Sequence, residues 1–228
     1  MLENYPAMVR HASLKLGFLA LPAALFVAIV FASAPASGKT PQAANLSASD
    51  KTDIARIERY LNSISTMRAR FLQVAANDEL SQGWVYISRP GKLRVEYDSP
   101  VPILIIGDGA WLIYHDSELE QTTYQSLKSS LAGFLVQETV RLGGEVTVTS
   151  LERGPGVIRV KLVKSGEEEE GSLALTFSDR PLVLRQWTVT DTEGQATQIA
   201  LVNAQFGLSL DEALFEFTEP DEDEGVTR

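Results

Sequence analysis

The alternation of apolar and charged residues from Leu93 to Asp98 constrains the fold more than any other feature of this chain. In this segment, LRVEYD, every second residue is apolar and the others are charged. Successive side chains of a β-strand point to opposite faces, so the pattern predicts a strand in a sheet that is covered on one face only. Two more short strands, ILIIGD and WLIYHD, follow after tight turns. The element that covers the apolar face is therefore the main question about function.

Similar short segments with a period of two occupy most of the chain, and two stretches have the helical period instead. The first predicted helix runs from Asp53 to Ser63, with Asp50 or Thr52 as its cap. The second runs from Gln125 to Leu142 and ends at a glycine pair. Together they predict an α+β protein with a strongly curved antiparallel sheet of ten or eleven strands. Two isolated amphipathic helices must bury their apolar stripes, so we expect both inside the concave face.

The N-terminal region predicts export from the cytoplasm. Leu16–Phe31 is an almost unbroken apolar run that follows basic residues and precedes small ones, so we expect residues 1–36 to be a cleavable signal peptide. An uncleaved membrane anchor is the alternative, although the run is short of the roughly 20 residues that a span needs. We expect residues 37–50 to be a flexible linker, residues 51–219 the folded domain and residues 220–228 an acidic tail.

Composition excludes several classes of function. The formal net charge of −10 makes nucleic acid binding improbable, because such a surface repels phosphates. The chain has no cysteine, so its core and not disulfides must stabilise it. A catalytic triad would depend on His115, and a histidine on a surface turn is the simpler interpretation. The acidic runs Glu167–Glu170 and Asp221–Glu224 lack the pattern of a calcium loop. We therefore predict no catalytic residues, no metal site and no cofactor.

Several segments in a fixed order carry a resemblance to a known family. They are RFLQ, GWVYISRPGKLRVEYDSP, ILIIGDGAWLIYHDSELEQTT and TQIALVNAQFGLSLDEALFEFTEP. In this order they resemble the periplasmic outer-membrane lipoprotein carriers of the LolA type, from about Ile54 to Val226. The resemblance implies an incomplete, half-open antiparallel β-barrel of about 11 strands, with helices that form a lid over an apolar cavity for acyl chains. Composition alone would favour an ordinary packed core in place of such a cavity.

The resemblance also assigns roles to single residues. Arg89 matches the family arginine that hydrogen-bonds backbone carbonyls of the lid and keeps the empty carrier closed. Leu93 and Val95 are aliphatic where the family has aromatic residues, and Gly133-Phe134 stands where some members have Pro-Phe. The residues expected around the acyl chains are Ile57, Leu61, Phe71, Trp84, Leu93, Val95, Leu131, Phe134 and Leu135.

The function implied by the resemblance is that of a periplasmic chaperone. We expect acylated lipoproteins as cargo, an inner-membrane ATP-driven lipoprotein exporter complex as their source, and an outer-membrane lipoprotein receptor or the outer membrane itself as their destination. We expect the carrier to be a monomer and not an enzyme. Two alternatives use the same fold: a carrier of another lipid such as a glycolipid, and a regulator that senses lipoproteins.

Overall fold

The computed structural model describes residues 41–219, apart from the side chains of Leu131 and Ala132. The predicted signal peptide and the predicted acidic tail lie outside the described residues. None of the helices in residues 41–219 is long and apolar enough to cross a membrane.

Within residues 41–219, eleven antiparallel strands form a single open sheet, which confirms the predicted fold class. The first six strands form one meander and the last five form another, and β1 pairs with β11 to join the two. The edge strands are β6 and β7, which are consecutive in the sequence. The strands are β1 (Thr66–Val74), β2 (Leu80–Ser88), β3 (Lys92–Tyr97), β4 (Ile103–Asp108), β5 (Trp111–Asp116), β6 (Gln121–Ser126), β7 (Val146–Gly154), β8 (Val157–Lys164), β9 (Ser172–Ser178), β10 (Val183–Thr190) and β11 (Ala196–Phe206).

The first helix, α1, spans Ala48–Asn62 and begins one turn earlier than predicted. The structure corrects the cap as well. The hydroxyl of Ser47 accepts a hydrogen bond from the Asp50 backbone N–H at 3.2 Å, and the Ser47 N–H donates to the Asp50 carboxylate at 2.8 Å. This reciprocal pair is a capping box, so Asp50 lies inside the first turn instead of before the helix.

Ion pairs fix the solvent-facing side of α1 to the half of the sheet that contains β7 to β10. Arg153, on β7, lies 2.7 Å from the Asp50 carboxylate and 2.8 Å from that of Asp53. Arg56 lies 2.7 Å from Asp179, in the turn between β9 and β10. On the opposite side of the helix, Ile57 and Leu61 are buried in the core. Both faces of α1 are therefore attached to the sheet.

The predicted second helix, Gln125–Leu142, is wrong at both ends, because the observed helix begins later and ends earlier. Its first residues belong to β6, and the helix that follows, α2, spans only Leu131–Val136. Beyond Val136 the chain is irregular and bent, and its backbone groups at Val140 and Leu142 bond to side chains of α1. These tertiary contacts outweigh the helical period of the apolar residues. We call residues 127–145, which join the two edge strands, the covering segment.

The C-terminal part of the domain lies against β3 to β5. The Asp211 carboxylate caps a turn there by accepting a hydrogen bond from the Ala213 N–H at 3.1 Å. The segment LFEFTEP alternates apolar and polar residues as a strand would, yet Glu212–Phe215 forms a 3₁₀ turn and residues 216–219 are not in the sheet. Phe217 packs against His115, with ring centroids 5.3 Å apart.

The capping box and Arg153 make the attachment of α1 sensitive to acid. The Ser47 hydroxyl and the Arg153 guanidinium lower the pKa of Asp50 from its ordinary value of 3.8 to about 2. A depressed pKa stabilises the fold above the unfolded pKa, and this contribution is lost as the pH falls from about 4 to about 2. We expect Asp50→Asn to lower the thermal unfolding midpoint at pH 7 and to lose less stability than the wild type between pH 4 and pH 2. Circular dichroism melts across that range would measure both.

Glu118→Gln is the matched control, because Glu118 is exposed in the turn between β5 and β6. It should reproduce the acid dependence of the wild type. If the Asp50→Asn protein lost as much stability between pH 4 and pH 2 as the wild type, this would contradict the contribution of Asp50 to the acid dependence.

Candidate functional site

A small apolar cavity of about 240 Å³ lies on the concave face of the sheet. Its wall follows from the strand register, since Val95 of β3 pairs with Val85 of β2 on one side and with Ile105 of β4 on the other. Because side chains alternate, these three residues point to the same face. The complete lining is Phe71, Gln73, Val85, Ile87, Leu93, Val95, Tyr97, Ile105, Leu112, Leu135, Leu173, Trp187, Val189, Thr197 and Ile199.

The structure divides the predicted cavity residues into groups. Those that line the cavity are Phe71, Leu93, Val95 and Leu135. Those that are buried in the adjoining core instead are Ile57, Leu61 and Phe134. The side chain of Leu131 lies outside the described residues. Whether acyl chains contact any of these residues stays a prediction.

Trp84 does not line the cavity, and its expected place there is wrong. Its ring lies on the convex face, where the guanidinium carbons of Arg68 and Arg70 are 4.9 and 5.0 Å from the ring centroid. Gly83, its neighbour in β2, faces the concave side, and a side chain there would overlap the ring of Phe71. The alternation of β2 carried this information, because an inward Val85 requires an outward Trp84.

Two aromatic residues of the cavity were missed from the sequence. Tyr97 packs edge-on against Phe71, with centroids 5.1 Å apart, and its hydroxyl donates to Gln73 at 2.7 Å. Burial raises the pKa of Tyr97 above its usual value, so the phenol is neutral. Trp187 enters from β10 on the far side of the cavity. These rings supply aromatic surface that Leu93 and Val95 do not provide, and the alternation in β3 and β10 was the signal that could have identified them.

Arg89 connects the rim of the sheet to the ends of both helices. Its Nε and Nη2 atoms donate to the Leu135 carbonyl oxygen at 3.0 and 2.7 Å, and its Nη1 atom donates to the Leu61 carbonyl oxygen. Both carbonyls belong to the last turn of a helix, where backbone acceptors lack helical partners and a cation is favourable. The neighbouring Gly91 N–H donates to the Val136 carbonyl oxygen at 2.7 Å. The turn between β2 and β3 therefore holds the end of α2 at two carbonyls.

The charge of Arg89 is balanced by dipoles. Within residues 41–219 no carboxylate lies close enough to form an ion pair with it. Burial lowers the pKa of the Arg89 guanidinium below its usual value, and an arginine in a protein stays protonated. Hydrogen bonds from a charged donor are worth about 1.5–3 kcal/mol each. The contacts of Arg89 therefore hold the last turns of both helices against the β2–β3 turn.

His115 and the acidic side chains are the other residues in the described part of the chain that the sequence singled out for possible chemistry. No group of three His, Asp or Glu residues there is arranged to hold a metal ion. The sequence suggested a histidine on a surface turn, and that interpretation is wrong. His115 is buried within β5. Its Nδ1 atom lies 3.1 Å from the Thr122 hydroxyl, and its ring packs against Phe217. This environment is that of a packed structural histidine.

Comparison with known proteins agrees with this geometry. Residues 62–218 match the family described as "Outer membrane lipoprotein carrier protein LolA". The chain belongs to the LolA family. Among relatives in the family, the outer-membrane lipoprotein carrier protein of Methylococcus capsulatus is 29% identical over 182 residues, which cover 76% of this chain and 87% of the relative. That of Dechloromonas aromatica is 32% identical over 177 residues, covering 73% and 84%.

Solved structures are also similar to this LolA-family chain. A LolA superfamily protein from Nitrosomonas europaea has a TM-score of 0.39 at 12% identity and covers 72% of this chain and 97% of its own. A conserved protein from Thermus thermophilus has a TM-score of 0.45 at 14% identity, covering 75% and 95%. The family resemblance inferred from the sequence motifs is confirmed by the match over residues 62–218.

The conformation of the covering segment depends on Gly133. A Cβ atom at this position would overlap the carbonyl oxygen of Leu127. We expect Gly133→Ala to displace α2, to lower the thermal unfolding midpoint by several degrees and to speed amide hydrogen exchange in residues 127–136. Gly143→Ala is the matched control in the same segment, because a Cβ atom there meets nothing within 4 Å. Equal midpoints and exchange rates in the two variants would contradict this role of Gly133.

Proposed function

We propose that this chain is a periplasmic carrier that shields the acyl chains of lipoproteins during transfer from the inner to the outer membrane. Its membership of the LolA family supports this, as do relatives that are named outer-membrane lipoprotein carrier proteins. The observation that carries the proposal from this structure is an apolar cavity on the concave face beneath a covering segment that Arg89 holds closed.

The physical problem of the cargo explains the need for such a cavity. Each CH₂ group that leaves water gains about 0.8 kcal/mol, so free acyl chains do not cross an aqueous compartment. An apolar cavity removes this cost. Compared with a bilayer, however, it offers almost no gain, and the carrier can return its cargo to a membrane without a large barrier. The negative net charge also limits adhesion to anionic leaflets on the way.

The closed cavity is too small for its proposed cargo. Its volume of about 240 Å³ lies below the range of roughly 300–1,000 Å³ that is typical of sites for small organic ligands. Several acyl chains need more room than one such ligand. Loading must therefore displace the covering segment, which includes α2, from the concave face.

Arg89 sets the cost of this displacement. When the binding-competent form is a minor population, the apparent affinity falls by the fraction that is open. Breaking the contacts of Arg89 to Leu61 and Leu135 contributes to the free-energy cost of loading. Reforming them favours release of the cargo. A carrier without ATP in its compartment needs such a balance between retention and delivery.

Removal of the Arg89 contacts should strengthen retention. We expect Arg89→Leu to bind a synthetic fluorescent triacylated lipopeptide about tenfold or more tightly and to transfer it more slowly to phospholipid vesicles, because closure no longer competes with binding. Arg159→Leu, at an exposed arginine of β8, is the control and should behave as the wild type. Unchanged release rates in a folded Arg89→Leu protein would contradict the proposed role.

The cavity itself can be tested by filling it. Val95→Trp places an indole in the closed cavity, and we expect at least a tenfold loss of lipopeptide affinity with little change in the unfolding midpoint. The matched control is Val157→Trp, because Val157 is exposed on β8. Equal lipopeptide affinities in the two variants would show that cargo binds elsewhere.

The partners follow from the same proposal. Cargo arrives from an inner-membrane ATP-driven lipoprotein exporter complex, which supplies the energy for extraction from the bilayer. It leaves to an outer-membrane lipoprotein receptor or directly to the outer membrane, and the carrier acts as a monomer. Mass spectrometry of the protein isolated from its own periplasm should detect triacylated lipoproteins. Free lipid or glycolipid alone would contradict the proposed cargo.

A further inference from the structure

Two side chains of α1 hold the far end of the covering segment. The Asn62 Nδ2 atom donates to the Val140 carbonyl oxygen at 2.9 Å, and the Val140 N–H donates to Asn62 Oδ1 at 2.8 Å. One turn earlier, a carboxylate oxygen of Glu58 accepts from the Leu142 N–H at 2.7 Å. Residues 58 and 62 are four apart and so share one face of the helix. The irregular stretch from Val140 to Leu142 is thus docked along α1 by side chains.

Asn62 makes a pair of bonds that only an amide side chain can complete. The Val140 carbonyl needs a donor, and the Val140 N–H needs an acceptor. An amide offers both groups in one plane, whereas a carboxylate offers only acceptors at neutral pH. Val140 is fully buried while Asn62 is in place, so the Asn62 amide supplies the partners that its backbone groups would otherwise seek in water.

The helix is the fixed partner in this contact. Arg56 and Arg153 attach α1 to β7 and to the turn between β9 and β10. The covering segment, by contrast, contacts the β2–β3 turn through the carbonyls of Leu135 and Val136. It is therefore held at two separate places, by Arg89 near its middle and by Asn62 near its end.

We propose that Asn62 is a second positioning residue of the covering segment, one that acts independently of Arg89 and sets part of the cost of opening the cavity. This inference rests on the proposed function only where it equates opening with loading. The structural claim concerns the closed form alone and needs no lipid for its test.

The absence of cysteine from the chain allows a direct assay of opening. Val85 is fully buried on the cavity wall, so a thiol in Val85→Cys reacts with a maleimide only when the cavity opens. When Asn62→Ala is added to Val85→Cys, we expect the thiol to react with the maleimide about tenfold faster than in Val85→Cys alone. This is the change in rate that the loss of two hydrogen bonds predicts. Arg59→Ala is the control from the same helix, because Arg59 is exposed, and it should react at the unaltered rate.

A second thiol separates opening from general loss of stability. Ile106 is fully buried on the opposite face of β4 from the cavity residue Ile105, so Ile106→Cys reports on unfolding of the sheet. Asn62→Ala should leave its labelling rate unchanged. Equal acceleration at both thiols, or no acceleration at Val85→Cys, would overturn the inference. Amide exchange at Val140 should also rise in Asn62→Ala, and a protected Val140 amide would count against it.

The outcomes for Asn62 and for the proposed function are distinguishable. If Asn62→Ala speeds labelling but the protein does not bind the triacylated lipopeptide, the positioning role stands and the carrier function fails. If Arg89→Leu speeds labelling and Asn62→Ala does not, the inference about Asn62 fails and the role of Arg89 is untouched.

Discussion

An open sheet with an apolar concave face is the constraint on which the rest of this structure depends. The eleven strands do not close, and their edges, β6 and β7, are consecutive in the sequence. The connection between them must therefore cross the opening, and residues 127–145 do so as a covering segment. The apolar lining needs a cover in the empty protein, since exposed apolar surface is costly in water. Acyl chains are a chemically suitable replacement for that cover.

The two elements over the concave face are held by different kinds of contact. On one side, α1 is fixed by ion pairs of Arg56 and Arg153 with three aspartates and by the buried Ile57 and Leu61. The covering segment also buries apolar side chains, among them Phe134, Val136 and Val140, and its backbone is hydrogen-bonded to Arg89, Gly91 and the side chains of α1. Exposed ion pairs contribute little by themselves, so buried apolar residues provide most of the attachment of both elements. The hydrogen bonds at Arg89 and Asn62 are the further contacts that opening of the covering segment would break.

Strand alternation made the fold predictable, and the same rule could have placed every strand residue. It placed Leu93 and Val95 on the apolar face of the sheet, whereas their place around a cavity came from the family resemblance. Applied to β2, the rule places Trp84 on the opposite face from Val85. The second helix was not predictable in this way, because Asn62 and Glu58 engage the backbone after Val136. Such contacts join residues far apart in sequence and leave no periodic signal. The position of Arg89 came from a family resemblance, since an arginine before a proline has no distinctive local pattern.

The central claim is that acyl chains occupy the concave cavity. A triacylated lipopeptide with photoactivatable diazirine groups in its acyl chains would test this most directly, with peptide mass spectrometry to locate the cross-links. The account predicts cross-links to concave residues such as Phe71, Tyr97 and Leu112. Cross-links confined to convex residues such as Trp84 and Tyr86 would contradict it.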